Sequence, residues 1–209
     1  GSMDSCNSTS SSDSPVAGTP IPLSRTIEQA RAGLMQGRAP ALAPAGTGGT
    51  YFLQNTDGSK VAVFKPVDEE PLAINNPRGH IGQGSCEGLR KGTVVGEGAI
   101  REVAAYLLDH DNFSSVPPTT FAHIEGGRDG SDEKVAPKRG SLQQYVECNG
   151  DCEEMGTAAF HMEEVHKIAV LDLRIANTDR NGGNILVRER GPEEPHAHGK
   201  YELVPIDHG

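Results

Sequence analysis

At 209 residues the chain is long enough for one sizeable domain or two small lobes. Only 35% of it is hydrophobic and its mean hydropathy is −0.47, so part of the length is expected in loops or unordered segments. A formal net charge of −10 and an isoelectric point near 5.2 argue against a general nucleic-acid binder, and against adhesion to anionic membrane by bulk charge alone. The densest basic cluster, Lys134, Lys138 and Arg139, reads as solvated surface. No apolar run approaches the length of a membrane span, and the N-terminus is polar where a secretory leader would be apolar. Cys6, Cys86, Cys148 and Cys152 match no disulfide framework, and the last two lack a second pair to complete a zinc site. All four are expected to be reduced, in a cytosolic setting.

Residues 1–22 are rich in Ser, Thr and Pro and are expected to form a disordered tail, because they offer almost no apolar surface to offset the entropy of ordering. Ile27, Ala30, Ala32, Leu34 and Met35 predict a short helix over residues 24–37, with Ser24 or Thr26 as cap and Glu28 near its positive end. Residues 39–45, carrying Pro40 and Pro44, read as a linker, so 23–45 is expected to precede a lobe beginning at residue 46. That lobe opens on Gly46-Thr47-Gly48-Gly49. A strand follows at residues 50–53, then the turn Asn55-Thr56-Asp57-Gly58, then a return strand at 60–65 stopped by Pro66. Glycines before one strand and Lys65 near the end of its partner suit a nucleotide: bare backbone approaches phosphates closely, and an ammonium binds them as a point charge. A surface hairpin ending in a solvated lysine explains the same segment.

Residues 67–97 are polar and glycine-rich, an insert of a length that is either functional or disordered. Apolar positions 99, 100, 103, 104, 107 and 108 predict a helix, with Glu102 flanking its buried face. A turn at 116–118 feeds a strand to Ile124, a charged loop covers 125–134, and strands are expected at Val135 and at 142–146. After an acidic loop at 147–155, a helix over 160–176 leads into Asn177-Thr178-Asp179-Arg180-Asn181-Gly182-Gly183-Asn184. Two apolar runs, 185–187 and 203–206, then bring the chain to Asp207-His208-Gly209. Phosphoryl transfer needs a carboxylate near the attacking hydroxyl and oxygen ligands for magnesium, and this stretch supplies both. Turn chemistry alone explains each piece taken separately.

Taken together, the order is glycine cluster, strand lysine, helix glutamate, five-strand sheet, helix, Asp-rich loop, hairpin and Asp-x-Gly. The order is that of a bilobal kinase, without the His-Arg-Asp or Asp-Phe-Gly spelling of protein kinases. The chain resembles the phosphatidylinositol 3- and 4-kinase superfamily, and is most similar to the type II-like phosphatidylinositol 4-kinases of the plant gamma class. The match covers about residues 48–209. It is carried by Val63-Phe64-Lys65-Pro66, Gly98-Ala99-Ile100-Arg101-Glu102-Val103-Ala104-Ala105-Tyr106, Gly140-Ser141-Leu142-Gln143-Gln144-Tyr145-Val146, Leu171-Asp172 through Asn184, and Pro205-Ile206-Asp207-His208-Gly209.

The resemblance implies an α+β, bilobal kinase-like fold: an N-terminal antiparallel-sheet lobe over 46–147 with the insert at 67–97, and the start of a helical C-terminal lobe over 148–209. It implies ATP and Mg2+ as cofactors. Lys65 would contact the ATP phosphates with Glu102 orienting it, Gly48 and Gly49 would lie against the nucleotide, and Gln144, Tyr145 and Val146 would form the hinge that meets adenine. Asp179 would be the catalytic aspartate with Arg180 a structural or charge partner, and Asn184 and Asp207 would hold magnesium. The glycine cluster is not the Gly-x-Gly-x-x-Gly loop of protein kinases. The cysteine-rich palmitoylation motif of animal type II enzymes is absent. The chain ends at Asp207-His208-Gly209, where a complete family member continues into an activation segment, so a catalytic fragment is expected. Three functions follow: transfer of the ATP γ-phosphate to the inositol 4-hydroxyl of phosphatidylinositol, phosphorylation of protein serine or threonine at the same ATP site, or a nucleotide-binding or scaffolding module without turnover. The partners implied are ATP and a lipid or protein substrate, with no nucleic acid. The location implied is cytoplasmic, with peripheral membrane contact as the variant.

Overall fold

The computed structural model describes residues 21–82, 87–124, 137–192 and 199–208. Its organising hairpin is closed by Asn55, whose Oδ1 accepts the N–H groups of Asp57 and Ser59 at 3.0 and 2.9 Å, while Gly58 supplies the positive φ of +87°. This turn joins β2 (Tyr51–Gln54) to β3 (Lys60–Pro66). The sheet is completed by β1 (Ala41–Leu42), β4 (Thr119–Ile124) and β5 (Lys138–Gln144), all antiparallel in the order β1-β2-β3-β5-β4. Alternation along β3 buries Ala62 and Phe64 on one face and leaves Val63 and Lys65 on the other.

The buried face is covered by α1 (Ile21–Met35). Its Leu23 and Ala30, flanked by Ile27 and Leu34, pack on Leu53, Ala62, Phe64 and Leu142. The segment read as a helix and linker ahead of the lobe is therefore one side of its core. Three local expectations are corrected here. Residues 21–22, placed in the disordered tail, are helical, so Ser24 and Thr26 lie inside α1 and do not cap it. Ala41 and Leu42, placed in a linker, pair with Phe52 and Tyr51 as the edge strand. The strand expected at 142–146 begins at Lys138 and ends at Gln144, because β3 pairs with it from Gly140 to Gln144 and β4 extends the pairing back through Arg139 to Lys138. Residues 1–20, the strand expected at Val135, Cys86 and Gly209 lie outside the described residues.

The other face of the sheet meets α2 (Gly98–Leu108). Asp109 ends that helix and accepts N–H groups from Ser114 and Val116 at 2.8 and 3.0 Å, folding the chain back toward β4. From the acidic loop onward, α3 (Met162–Ile175) packs on α2 through Ala105, Val116 and Leu171. On its other side, Ile168 packs with Val187 and Leu203 of the hairpin β6 (Ile185–Glu189) and β7 (Tyr201–Pro205). The acidic loop is tied to this hairpin by the Asp151–Leu186 bridge and by Asn149 N–H donating to Val187 O at 2.8 Å. The result is a mixed α+β fold whose sheet and second half meet at the ends of β3 and β7. No helix among the described residues is long and apolar enough to cross a membrane.

Candidate active site

Lys65 lies on the sheet face away from α1, opposite Ser141 in the β3–β5 register. Its Nζ donates to Glu102 Oε1 of α2 at 2.6 Å and lies 3.1 Å from Asp207 Oδ1, just past β7. Glu102 is 4% exposed, as the apolar periodicity of its helix requires. Burial alone would lower the lysine pKa, but the charges and hydrogen bonds of Asp207 and Glu102 outweigh it and raise the ammonium above its ordinary range. Asp207, beside that ammonium, is held below the usual carboxylate range. It adopts a φ of +52°, the left-handed turn that carries the chain off the strand.

The loop after α3 is shaped by its own polar side chains. Ala176 turns into the left-handed region, φ 52° and ψ 43°, and Asn177 bonds back to Asp172 through N–H (2.9 Å) and through Nδ2 to Oδ1 (3.0 Å). Asn177 Oδ1 then accepts the N–H of Asp179 at 2.9 Å, and the Asp179 carbonyl accepts Nδ2 of Asn181 and Asn184 at 3.1 and 3.2 Å. All five donors of Arg180 are taken. Nε and Nη2 bind the Asp172 carboxylate, Nη1 binds the carbonyls of Asn184 and Ile206 at 2.7 Å each, and Nη2 also reaches His208 Nδ1 at 3.0 Å. Because a guanidinium only donates, His208 Nδ1 is the acceptor and the ring proton belongs on Nε2. Burial lowers the pKa of this imidazole further than Glu102 raises it. Arg180 is thus a positioning residue that locks the Asp179 loop to α3 and to the turn from Ile206 to His208.

Lys65, Glu102, Asp179 and Asp207 line one cavity of about 460 Å³, together with Gly46 through Thr50 and part of the insert. Within it Asp179 is ion-paired to Arg90 of the insert. Asn184 sits beside the loop with its amide nitrogen on Asp179 O, which leaves its Oδ1 without a hydrogen-bond partner among the described residues.

A family model for phosphatidylinositol 3- and 4-kinases matches residues 46–209. The chain belongs to this family. It is 47% identical over 206 residues to phosphatidylinositol 4-kinase gamma 4 of Arabidopsis thaliana, covering 92% of this chain and 35% of that one. It is 50% identical over 188 residues to phosphatidylinositol 4-kinase gamma 4 of Oryza sativa subsp. japonica, covering 85% and 31%. It is 47% identical over 211 residues to phosphatidylinositol 4-kinase gamma 3 of Arabidopsis thaliana, covering 91% and 35%. The chain spans about a third of the length of these curated relatives.

Within this phosphatidylinositol 3-/4-kinase family member, two groups of sequence-predicted residues are placed differently from Lys65, Glu102, Asp179 and Asp207. Gly48 and Gly49 line the cavity, but Gly49 N–H donates to Glu69 O at 2.8 Å, so that amide is not free for a phosphate. A Cβ at Gly49 would collide with the Glu69 side chain, which explains the glycine by close packing. Gln144, Tyr145 and Val146 are not among the cavity's lining residues. They lie at the other end of β3, where Tyr145 N–H donates to Val61 O at 2.9 Å and Gln144 N–H to Pro118 O at 2.9 Å. Val61 is four residues from Lys65, roughly 13 Å along a strand. Of these three backbone amides, Val146 N–H alone has no acceptor among the described residues. The Tyr145 ring stands edge-on to Phe52, with Lys60 Nζ 4.0 Å from the Phe52 centroid.

Sequence reasoning missed the residues of the insert that build this site. Asn76 Nδ2 donates to the carbonyls of Thr47, Glu69 and Glu70, and Arg78 donates to those of Ala43, Ala45 and Gly48, pinning the glycine segment from behind. Glu70 accepts the N–H groups of Gly96 and Ala99 at 2.8 and 3.2 Å, capping the start of α2 from 26 and 29 residues away. Burial raises the Glu70 pKa against those hydrogen bonds. No periodicity marks such long-range contacts, and the only signal was an insert too long to be a simple connection.

Proposed function

We propose that the chain forms the nucleotide-binding and catalytic-loop part of a phosphatidylinositol 4-kinase, which moves the γ-phosphate of ATP to the inositol 4-hydroxyl. The observation that carries this reading is Lys65 Nζ held 2.6 Å from Glu102 and 3.1 Å from Asp207, in the cavity that also takes in Asp179. Lys65 would bind ATP phosphates, with Glu102 fixing the direction of its ammonium. Gly48 would lie against the nucleotide, and the hinge at Gln144, Tyr145 and Val146 would meet adenine. Asp179 would accept the proton of the acceptor hydroxyl as its oxygen bonds to the γ-phosphorus and the bond to the β-phosphate oxygen breaks, releasing ADP. Arg180 would keep the Asp179 loop and Asp207 in register.

The residues present suit a magnesium ion. Glu70, Glu97, Glu102, Asp179 and Asp207 outnumber the cations Lys65, Arg90 and Arg101 among the cavity's lining residues, so a polyphosphate entering it calls for a counter-cation. Asp207, which lines the cavity, and Asn184, which does not line it but is bonded to the Asp179 carbonyl, would supply the oxygen donors, a sparse set of the kind that Mg2+ completes with phosphate and water. Bound magnesium would neutralise charge on the phosphates. A cytosolic site with peripheral membrane contact fits a soluble phosphate donor and a bilayer-borne acceptor.

The test is to incubate the full-length protein with magnesium-ATP and either phosphatidylinositol vesicles or a generic protein substrate. Label in lipid that vanishes in Asp179→Ala supports the proposal, and label in protein alone overturns it. If neither is labelled while ATP raises the melting temperature, the chain is a nucleotide-binding module.

A further inference from the structure

We propose that Arg90 is a phosphate ligand of this site, carried to it by the insert. The inference rests on the kinase reading above and adds a residue to it. Residues 87–94 form a compact turn: Glu87 bridges Val94, Gly88 N–H donates to Thr93 O at 2.8 Å, and Thr93 donates to Arg90 O through both N–H (3.0 Å) and Oγ1 (2.7 Å). Gly88 has no room for a Cβ beside Thr93, and Gly92 takes a φ of +88°. The turn is fastened to the start of α2, where Val94 N–H donates to Glu97 Oε2 at 3.2 Å and Gly96 N–H to Glu70 Oε2 at 2.8 Å. The backbone that presents Arg90 is therefore closed on itself and fastened to α2 at its C-terminal end, and its guanidinium crosses to Asp179 on the other side of the cavity, which Lys65 and Asp207 also line.

A guanidinium at that position sits where the phosphate end of a nucleotide and the acceptor hydroxyl must meet. Its planar fork matches phosphate oxygens in pairs. Arg90 is 54% exposed and Asp179 31%, so their ion pair is weak and open to competition. The terminal γ-phosphate of ATP offers the guanidinium more charge than one carboxylate does, while a phosphodiester offers the same single charge on two oxygens that the fork can meet together. Moving Arg90 from Asp179 to phosphate also frees the Asp179 carboxylate to accept a proton. The phosphate has two sources, the γ-group of ATP and the phosphodiester of a phosphatidylinositol acceptor.

The experiment compares wild type, Arg90→Ala, Arg90→Lys and Lys65→Met in the full-length protein. It measures affinity for ATP, ADP and adenosine, and KM for phosphatidylinositol in phosphatidylcholine vesicles. If Arg90 holds the γ-phosphate, Arg90→Ala weakens ATP about tenfold and leaves ADP and adenosine unchanged. If it holds the acceptor's phosphate, ATP affinity is unchanged and KM for the lipid rises about tenfold. Arg90→Lys should recover part of either loss, as a point charge without the fork. Unchanged ATP affinity and unchanged lipid KM, an equal loss for adenosine, or faster turnover at unchanged affinity would each overturn the proposal. Arg90 is half-exposed at a turn, so the nucleotide-free melting temperature should not move, and Arg90→Lys separates charge from any loss of folding. Lys65→Met distinguishes the two levels: intact ATP binding in that variant defeats the kinase reading itself, whereas its loss with no effect of Arg90→Ala defeats only the role of Arg90.

Discussion

Lys65 does structural work before any ligand arrives. Glu102 is buried, its Oε1 is held by Lys65, and its Oε2 has no hydrogen-bond partner among the described residues. Removing the lysine strands a desolvated carboxylate, a loss larger than the pair's net worth. Lys65→Met should therefore lower stability by about 3 kcal/mol without nucleotide. Lys65→Met combined with Glu102→Gln should lose less than the single variant, because the uncompensated charge is gone. Chemical denaturation of the four proteins in the cycle checks this, and strict additivity would mean that the pair is solvated. A second residue-scale prediction concerns Cys152, which packs against the cluster around Ile168, Val187 and Leu203. Burial, with the charge of Asp151, pushes its thiol from 9.0 up to about 11. At pH 8 that leaves roughly a hundredfold less thiolate than an ordinary cysteine has. Alkylation by iodoacetamide, followed by mass spectrometry, should be correspondingly slow at Cys152 and accelerate as pH rises toward 11. Reaction at the rate of a free thiol would show that the site is open.

At the scale of elements, the decisive contact is α1 on the sheet. Gly33 sits inside α1, and a Cβ there would collide with the carbonyl oxygen of Gln54 at the end of β2. In an isolated helix, glycine to alanine stabilises by about 1 kcal/mol. Here the sign should reverse: Gly33→Ala should destabilise the protein, because backbone on both sides cannot move apart without breaking the packing of Leu23 and Ala30 on Leu53 and Ala62. A raised melting temperature for that variant would show that α1 is not docked as described. Elements with local patterns were legible in the sequence, and the docking of α1 was not. The Asn55 turn, the alternation of β3 and the periodicity of α2 are local patterns, so Lys65 and Glu102 could be assigned to elements from spacing alone. The docking of α1 depends on residues 20 or more positions away, and the amphipathic signal of a short helix after a polar tail does not say what it covers. Arg90 was illegible for the same reason: its partner lies 89 residues later, and nothing periodic surrounds it.

For the whole molecule, the site exists only where the two halves meet. Lys65 and Glu102 come from the sheet and α2, Asp179 and Asp207 from the loop and hairpin beyond α3, and the halves are clasped by Ser114 Oγ donating to Lys167 O at 2.9 Å and Arg174 Nη1 to Leu108 O at 2.8 Å. A ligand that touches both walls should stabilise the whole chain, by about 2.7 kcal/mol at a hundredfold excess over its Kd. Asp207 separates metal from nucleotide within that effect. Without metal its charge repels a triphosphate while it competes for Lys65, at 3.1 Å. With metal, on the proposed reading, it would be an oxygen donor for the cation. Asp207→Asn should therefore retain, or slightly increase, the melting-temperature shift produced by ATP in the presence of a chelator, and should lose the extra shift that magnesium adds to the wild type. The folded-state pKa of Asp207 is depressed, so its ionised form is present above the ordinary carboxylate value and is lost as pH falls through the lower, folded value. In the nucleotide-free protein the Asp207 carboxylate should accordingly stay ionised below the ordinary carboxylate value of 3.8 for as long as the fold survives, which NMR of the side-chain carboxyl carbon checks. An Asp207→Asn variant that loses the metal-free and metal-dependent shifts equally would show that Asp207 supports the pocket's shape and does not hold the ion.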